Sequence, residues 1–144
     1  MKKILIVDDE DLILLALSAA LQQKDACVKA VSCGKDALAE IDRAFYDLCF
    51  LDIHLPDANG LELMKTVREA SPETNIVMMS GDMIDDDVKE TMLKTARCFL
   101  PKPFDLEQVR SLADGLLREE RGRTDHAAPR SHPDNREGSS NVIN

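Results

Sequence analysis

Two apolar runs of the sequence end directly in carboxylate side chains. Residues 4–7 (ILIV) are followed by Asp8, Asp9 and Glu10, and residues 47–51 (DLCFL) are followed by Asp52. Carboxylates that are brought together by folding repel one another unless a cation neutralises them. Mg²⁺ binds one or two carboxylates together with waters and phosphate oxygens, so this pattern predicts a magnesium site that handles a phosphate group.

A hydroxyl group and an ammonium group follow two further apolar runs. Ser80 comes directly after IVMM, and Lys102 comes after CFLP. A hydroxyl can donate a hydrogen bond to a phosphate oxygen, and a lysine ammonium pairs with the same kind of oxygen as a point charge. Together with the acids, these two residues complete a candidate site for phosphate chemistry.

Each of these residues also has a simpler interpretation when it is taken alone. Asp8 or Asp9 could cap the following helix, and Ser80 could cap another. Asp52 could form a turn, and Lys102 could be a solvated loop residue. The simpler interpretations lose weight because all of these residues follow strands of one predicted sheet and therefore lie at the same end of it.

The apolar runs that position these residues recur along the chain. They occupy residues 4–7, 27–31, 47–51, 75–79 and 98–100. Each run is followed by a segment of helical periodicity, which predicts a (βα)5 chain. Strands that are apolar on both faces and alternate with helices belong to a doubly wound α/β fold, a parallel sheet covered on both sides. Ligands of such sheets bind beyond the carboxyl ends of the strands.

The spacing of apolar residues predicts which face of each helix is buried. The predicted stripes are Leu12, Leu15, Ala16, Ala19 and Ala20 in the first helix, Ile84, Val88, Met92 and Leu93 in the fourth, and Leu106, Val109, Leu112, Ala113 and Leu116 in the fifth.

Composition excludes several classes of function. The 144 residues carry 18 Lys and Arg against 27 Asp and Glu, a formal net charge of −9, so direct binding to nucleic acid is not expected. The sequence has no apolar run of the ~18 residues that a membrane span requires. Its first residues do not form a signal peptide. We therefore expect a soluble, cytoplasmic protein with no membrane partner.

The length and the change of composition near the C-terminus define the predicted domains. Residues 1–120 are expected to form one domain. Residues 121–144 contain Pro, Gly, Ser, Asn and mixed charges, with no periodic apolar face before Val142 and Ile143. This composition predicts a disordered C-terminal tail.

Four stretches of the sequence, taken together, resemble a known family. They are ILIVDDE, DLCFLDIHLPDANGLEL, IVMMSG and FLPKPF, and they resemble the receiver domain of two-component response regulators. The resemblance covers residues 1–120 and suggests a stand-alone receiver similar to the chemotaxis regulator. It implies the flavodoxin-like strand order 2-1-3-4-5.

The resemblance also implies a role for each site residue. Asp52 would accept a phosphoryl group from a phosphohistidine of a histidine kinase or phosphotransfer protein. The Mg²⁺ cofactor would be held by Asp9, Asp52 and the backbone carbonyl of His54, with Asp8 holding a water molecule of the metal. Lys102, which precedes a cis peptide bond to Pro103 in the family, would pair with a phosphoryl oxygen.

Two further residues would carry the signal away from the site. By the resemblance, Ser80 would donate its hydroxyl to the phosphoryl group, and Phe99 is the aromatic residue that moves between exposed and buried positions. Phe99 also has the simpler interpretation of an ordinary core residue. The surface formed by the fourth helix, fifth strand and fifth helix would then bind an unknown downstream protein or form a homodimer.

Three other functions compete with this signalling role. A haloacid-dehalogenase-like phosphatase also uses an Asp nucleophile and Mg²⁺, but it places a second Asp where this chain has His54. Flavin binding on the same fold needs a phosphate loop without the acids Asp8 and Asp9. The third alternative is a receiver that no longer accepts phosphate. We expect a switch that assists its own phosphorylation and dephosphorylation, and not an enzyme that turns over external substrates.

Overall fold

Strands and helices alternate along the described part of the chain. The computed structural model describes residues 1–23 and 25–126, and within them the predicted (βα)5 order is confirmed. The strands are β1 (Lys2–Val7), β2 (Ala26–Val31), β3 (Leu48–Asp52), β4 (Asn75–Ser80) and β5 (Cys98–Pro101). The helices are α1 (Asp11–Leu21), α2 (Gly34–Arg43), α3 (Gly60–Ala70), α4 (Asp86–Met92) and α5 (Leu106–His126).

The strands form one parallel sheet in the order β2-β1-β3-β4-β5. This order confirms the one that the resemblance implied. Val7 of β1 lies opposite Leu51 of β3, and Asp52 lies opposite Met79 of β4. The carboxyl ends of these strands therefore meet at one edge of the sheet, where the candidate site residues follow.

Side chains of the central strands are buried on both faces of the sheet, because successive residues of a strand point to opposite sides. In β3, Cys49 and Leu51 belong to the core on the side of α2 and α3. Leu48 and Phe50 belong to the core on the side of α1 and α5. This double burial explains why the strands are continuous apolar runs.

The predicted buried face of α1 is mostly wrong. Leu12 and Leu15 are 79% and 68% exposed, and Ala19 is exposed as well. Of the predicted stripe only Ala20 is buried, and the helix also buries Leu17 and Leu21. Its sequence, DLILLALSAAL, is apolar around almost the whole circumference, so the spacing of apolar residues could not identify the inward face. Packing against the sheet and α5 determines it.

The stripes predicted for the last two helices are confirmed only in part. Helix α4 begins at Asp86, so Ile84 precedes it, and Val88 is 37% exposed, while Met92 is buried. In α5, Leu106 is 36% exposed, while Val109, Ala113 and Leu116 are buried. The first turns of both helices lie at the rim of the fold, where an apolar residue has less core to contact.

The C-terminal helix passes the predicted domain boundary. Helix α5 continues to His126, beyond residue 120. The disorder expected for residues 121–126 is therefore not observed, whereas residues 127–144 lie outside the described residues and their expected disorder stays a prediction. Among the helices of the described part, none combines the length and the apolar character that crossing a membrane requires.

Candidate functional site

Three carboxylates meet at the carboxyl edge of the sheet. Asp8 and Asp9 follow β1, and Asp52 is the last residue of β3. One carboxylate oxygen from each residue lies within 4.8 Å of the others. Asp8 and Asp52 are buried, whereas Asp9 is exposed. The convergence predicted from the sequence is therefore confirmed, and it concentrates negative charge on two buried carboxylates and one exposed carboxylate.

Lys102 supplies the positive charge of this cluster. Its Nζ lies 2.8 Å from Asp8 Oδ2 and 3.5 Å from Asp52 Oδ2. The Lys102 side chain is only 13% exposed, and the Lys102–Pro103 peptide bond is cis, as the resemblance implied. The Lys102 backbone N–H donates to the carbonyl oxygen of Ser80 at 2.8 Å, which fixes the lysine beside the end of β4.

Burial and the neighbouring charges shift the pKa values of both Asp52 and Lys102. Burial, followed by the charge of Asp8, raises the pKa of Asp52, although Lys102 opposes this rise. Burial alone would lower the pKa of Lys102, but Asp8, Glu10 and Asp52 together outweigh burial and raise it. Lys102 is therefore protonated at neutral pH, and it compensates the carboxylates incompletely.

The donor set fits a divalent cation. Carboxylate oxygens are the ligands that Mg²⁺ prefers. The buried Asp8 Oδ2 is paired with Lys102 Nζ at 2.8 Å, and a carboxylate oxygen of this kind can accept a second partner. A buried oxygen with unused acceptor capacity beside two other carboxylates is what a bound cation would satisfy. The residues Asp8, Asp9 and Asp52 therefore could hold Mg²⁺.

His54 contributes to this site through its backbone. Its N–H donates a long hydrogen bond of 3.4 Å to Asp52 Oδ1. Its imidazole Nε2 pairs instead with Asp82 Oδ2 at 2.7 Å, and both side chains are largely exposed. The imidazole is thus engaged outside the carboxylate cluster. The role predicted for the His54 carbonyl as a metal ligand stays a prediction.

Glu10 belongs to the site, although the sequence indicated no role for it. Its Oε1 lies 2.9 Å from Lys102 Nζ, and its side chain is 60% exposed. Its backbone N–H donates to Asp8 Oδ1 at 2.9 Å. Asp8 therefore stabilises the turn that precedes α1, while Glu10 occupies the N-cap position. The direct adjacency of Glu10 to the two aspartates was the signal that could have identified it.

Ser80 and Phe99 are both buried, at 1% and 4% exposure. The Ser80 hydroxyl accepts a hydrogen bond from the Asp82 N–H at 3.0 Å, and Asp85 occupies the N-cap position of α4, so Ser80 is not a helix cap. Phe99 packs in the core on the α2 and α3 side, and Lys89 Nζ of α4 lies 5.7 Å from the centre of its ring. Their predicted switching roles stay predictions.

An open cleft gives access to the cluster. Its volume is about 640 Å³, and it is bordered by residues at or just after the carboxyl ends of β1, β3, β4 and β5. They include Asp9, Glu10, Asp52, His54, Asp82 and Lys102. A group that enters this cleft meets the carboxylates of Asp9 and Asp52 and the ammonium group of Lys102.

Comparisons with known proteins agree with this geometry. The family model described as the response regulator receiver domain matches residues 4–114. The transcriptional regulatory protein TrcR of Mycobacterium tuberculosis is 33% identical over 81% of this chain and 45% of its own length. The chain spans between a quarter and about half of the length of curated relatives that it matches.

Two solved structures have the same fold. The BeF3-activated receiver domain of DrrB has a TM-score of 0.74 and 31% identity, covering 82% of this chain and 98% of that structure. A CheY-like response regulator receiver domain protein from Methanospirillum hungatei has a TM-score of 0.79 and 26% identity, covering 85% and 98%.

Proposed function

Because this chain belongs to the family of response regulator receiver domains, we propose that Asp52 accepts a phosphoryl group from a phosphohistidine of a partner protein. The observation that carries the proposal is the position of the Asp52 carboxylate, 3.5 Å from Lys102 Nζ and within 4.8 Å of the oxygens of Asp8 and Asp9. The partner is a histidine kinase or a phosphotransfer protein.

The reaction requires little acid–base chemistry. An oxygen of the Asp52 carboxylate attacks phosphorus, the bond between phosphorus and the histidine nitrogen breaks, and its electron pair stays on that nitrogen. Positioning and charge neutralisation are the main contributions of a protein to phosphoryl transfer. Lys102 is placed to pair with a phosphoryl oxygen, because its ammonium already lies beside Asp52.

Asp9, Asp52 and the carbonyl of His54 are the groups that would hold Mg²⁺, with Asp8 beside them. When bound, the ion neutralises the negative charge that accumulates between the phosphoryl group and the carboxylates. Asp8 has a second function that the structure supports directly, since it holds the ammonium of Lys102 at 2.8 Å. The cluster thus prepares both the nucleophile and the cation that pairs with the transferred group.

Phosphorylation is proposed to change the surface formed by α4, β5 and α5. Ser80 ends β4 and hydrogen-bonds the loop before α4, while Phe99 of β5 lies beneath Lys89 of α4. If the Ser80 hydroxyl turns to donate to the phosphoryl group, the loop loses this bond and α4 can shift over Phe99. A downstream protein, or a second copy of the chain, would recognise the altered surface.

The test is intact-mass analysis after incubation with acetyl phosphate and Mg²⁺. We expect one added phosphoryl group that is stable in acid and labile in base. Asp52→Asn should abolish the addition, because the nucleophile is lost. Asp42→Asn, which makes the same change at an exposed position of α2, should be phosphorylated like the wild type. Phosphorylation of Asp52→Asn at the wild-type level would remove the assignment.

A further inference from the structure

The loop that follows Asp52 is attached to a helix that precedes it in the chain. This β3–α3 loop comprises residues 53–59. Asp57 in the loop accepts two hydrogen bonds from the start of α2, from the Gly34 N–H to Oδ1 at 2.8 Å and from the Lys35 N–H to Oδ2 at 3.0 Å. One carboxylate therefore binds two backbone groups of another element.

These bonds satisfy a requirement of the helix. The first N–H groups of an α-helix have no partner within the helix and carry a partial positive charge. Cys33 occupies the N-cap position of α2, and its side chain makes no capping bond to the described residues. Asp57 caps α2 from 23 positions further along the chain, and the two N–H groups hold the pKa of its carboxyl below the usual range.

Helix α2 and the β3–α3 loop also pack closely against each other at Gly34. A Cβ atom added to Gly34 would lie 2.8 Å from the Cβ of Ala58 and 3.3 Å from Asp57 Oδ1. The first of these distances is shorter than side chains tolerate. Glycine at position 34 therefore allows the loop to approach the helix, and a larger residue would displace the loop without removing the carboxylate.

The base of the loop lies against the phosphoacceptor. The Gly60 N–H donates to the carbonyl oxygen of Ile53 at 2.7 Å, and His54 pairs with Asn59 across the loop. A Cβ added to Gly60 would lie 2.3 Å from the carbonyl oxygen of Asp52. The loop is therefore held at two places, at its base beside Asp52 and at Asp57 on α2.

We propose that Asp57 is a positioning residue for the phosphorylation site, holding the β3–α3 loop on α2 so that Asp52 and the His54 carbonyl are placed together to bind Mg²⁺. The inference rests on the proposed function, because it concerns the same metal and the same nucleophile. It assigns to α2 a part in the site although α2 contributes no side chain to the cleft.

If Asp57 only capped α2, its hydrogen bonds would not depend on Mg²⁺, whereas the proposal requires that they do. If the bonds of Asp57 increase the affinity for Mg²⁺, then bound Mg²⁺ must strengthen those bonds by the same factor. Amide hydrogen exchange at Gly34 and Lys35 should therefore slow when Mg²⁺ is added. The Ala37 N–H, which donates to the Cys33 carbonyl in the same helix, reports any general stabilisation and serves as the reference.

The experiment measures the Mg²⁺ dissociation constant by amide NMR titration of the full chain. Asp57→Asn should bind Mg²⁺ about tenfold more weakly, as is typical when residues that support metal ligands are changed. Gly34→Ala, which keeps the carboxylate but displaces the loop, should weaken binding in the same direction. Asp36→Asn removes an equal charge from the first turn of α2 and should stay within about twofold of the wild type.

Exchange of the Gly34 and Lys35 amides completes the test. In the wild type, Mg²⁺ should slow these two amides more than it slows Ala37, and Asp57→Asn should lose this difference. If the wild type binds Mg²⁺ through Asp52 but Asp57→Asn binds it equally well, the positioning role is overturned and the proposed function stands. If the wild type binds no Mg²⁺, both are overturned.

Discussion

Lys102 Nζ lies 2.8 Å from Asp8 Oδ2, and this contact joins the end of β5 to the end of β1 across the centre of the sheet. The Asp8 carboxylate is fully buried. An unpaired charge at such a buried position is strongly destabilising. The ammonium group of Lys102 lies beside Asp8 and provides the opposite charge. The ion pair therefore offsets the cost of burying Asp8 and also places a cation where a phosphoryl group is expected.

Removing this cation should destabilise the metal-free protein. We expect Lys102→Met to lower the free energy of unfolding by about 3 kcal/mol, because Asp8 and Asp52 remain buried without their partner. Urea unfolding measures the loss, and Mg²⁺ should restore more stability to this variant than to the wild type. Lys94→Met, a change at an exposed position after α4, is the control. Equal stability of both variants would show that the pair contributes nothing.

Mg²⁺ should raise the melting temperature of the wild type, because folding gathers the carboxylates that bind it. At a concentration one hundred times the dissociation constant, the gain is about 2.7 kcal/mol. Asp9→Ala should lose most of this response, and its metal-free form should be at least as stable as the wild type, since one repelling charge is gone. Differential scanning calorimetry measures both effects. A full Mg²⁺ response in Asp9→Ala would contradict the metal site.

The raised pKa of Asp52 predicts how stability depends on pH. The ionised carboxylate is less favourable in the folded protein than in the unfolded chain, so ionisation costs stability as pH rises from the ordinary pKa of 3.8 through the raised pKa. Above that window the cost is complete. Metal-free Asp52→Asn should therefore exceed the wild type in stability at neutral pH, and the excess should shrink as the solution is acidified.

Urea unfolding at a series of pH values, from below 3.8 to neutral, measures the difference in stability between Asp52→Asn and the wild type. Asp57→Asn should behave with the opposite sign, because hydrogen bonds lower the pKa of Asp57. The stability that its carboxylate contributes is present above the ordinary pKa and is lost on acidification. A lower stability of Asp52→Asn than of the wild type at neutral pH would contradict the claim that the buried charge of Asp52 lowers stability.

We expect Glu10 to compete with an incoming phosphoryl group for Lys102, since its carboxylate lies 2.9 Å from Nζ at the mouth of the cleft. Glu10→Gln should increase the rate of phosphorylation by acetyl phosphate about two- to fivefold, because an exposed charge interaction is worth about 0.5 to 1 kcal/mol. Asp11→Asn removes the same charge from the first turn of α1. A similar increase in both variants would mean that net charge, and not the contact with Lys102, controls the rate.

The sequence predicted well the features that short segments determine, which are the strands and the residues that follow them. Strand order came from the resemblance, and the gathering of Asp8, Asp9, Asp52 and Lys102 followed from their positions after strands of a parallel sheet. The inward face of α1 was mispredicted, because a helix that is apolar all around carries no information about which side packs. The bonds of Asp57 to α2 were missed for another reason. They join elements that are distant in the chain, and neither segment alone shows a pattern that requires the other.

The last prediction concerns the route from Asp52 to the surface. In the unphosphorylated structure the Ser80 hydroxyl accepts a hydrogen bond from the Asp82 N–H. Phe99 is already buried beneath Lys89. The expected response is therefore a shift of α4 over Phe99, and not the entry of an exposed ring. A charge-assisted hydrogen bond between the Ser80 hydroxyl and the phosphoryl group is strong enough to favour the shifted state when the two states are close in free energy.

Ser80→Ala should still be phosphorylated, because the nucleophile and the acidic cluster are unchanged, but it should lose the conformational response. Amide NMR spectra with and without beryllofluoride, a phosphoryl mimic, measure the response along α4, β5 and α5. Thr66→Ala, which removes a hydroxyl that bonds within α3, should respond like the wild type. Shifts of wild-type size in Ser80→Ala would mean that its hydroxyl does not transmit the signal and that Phe99 is an ordinary core residue.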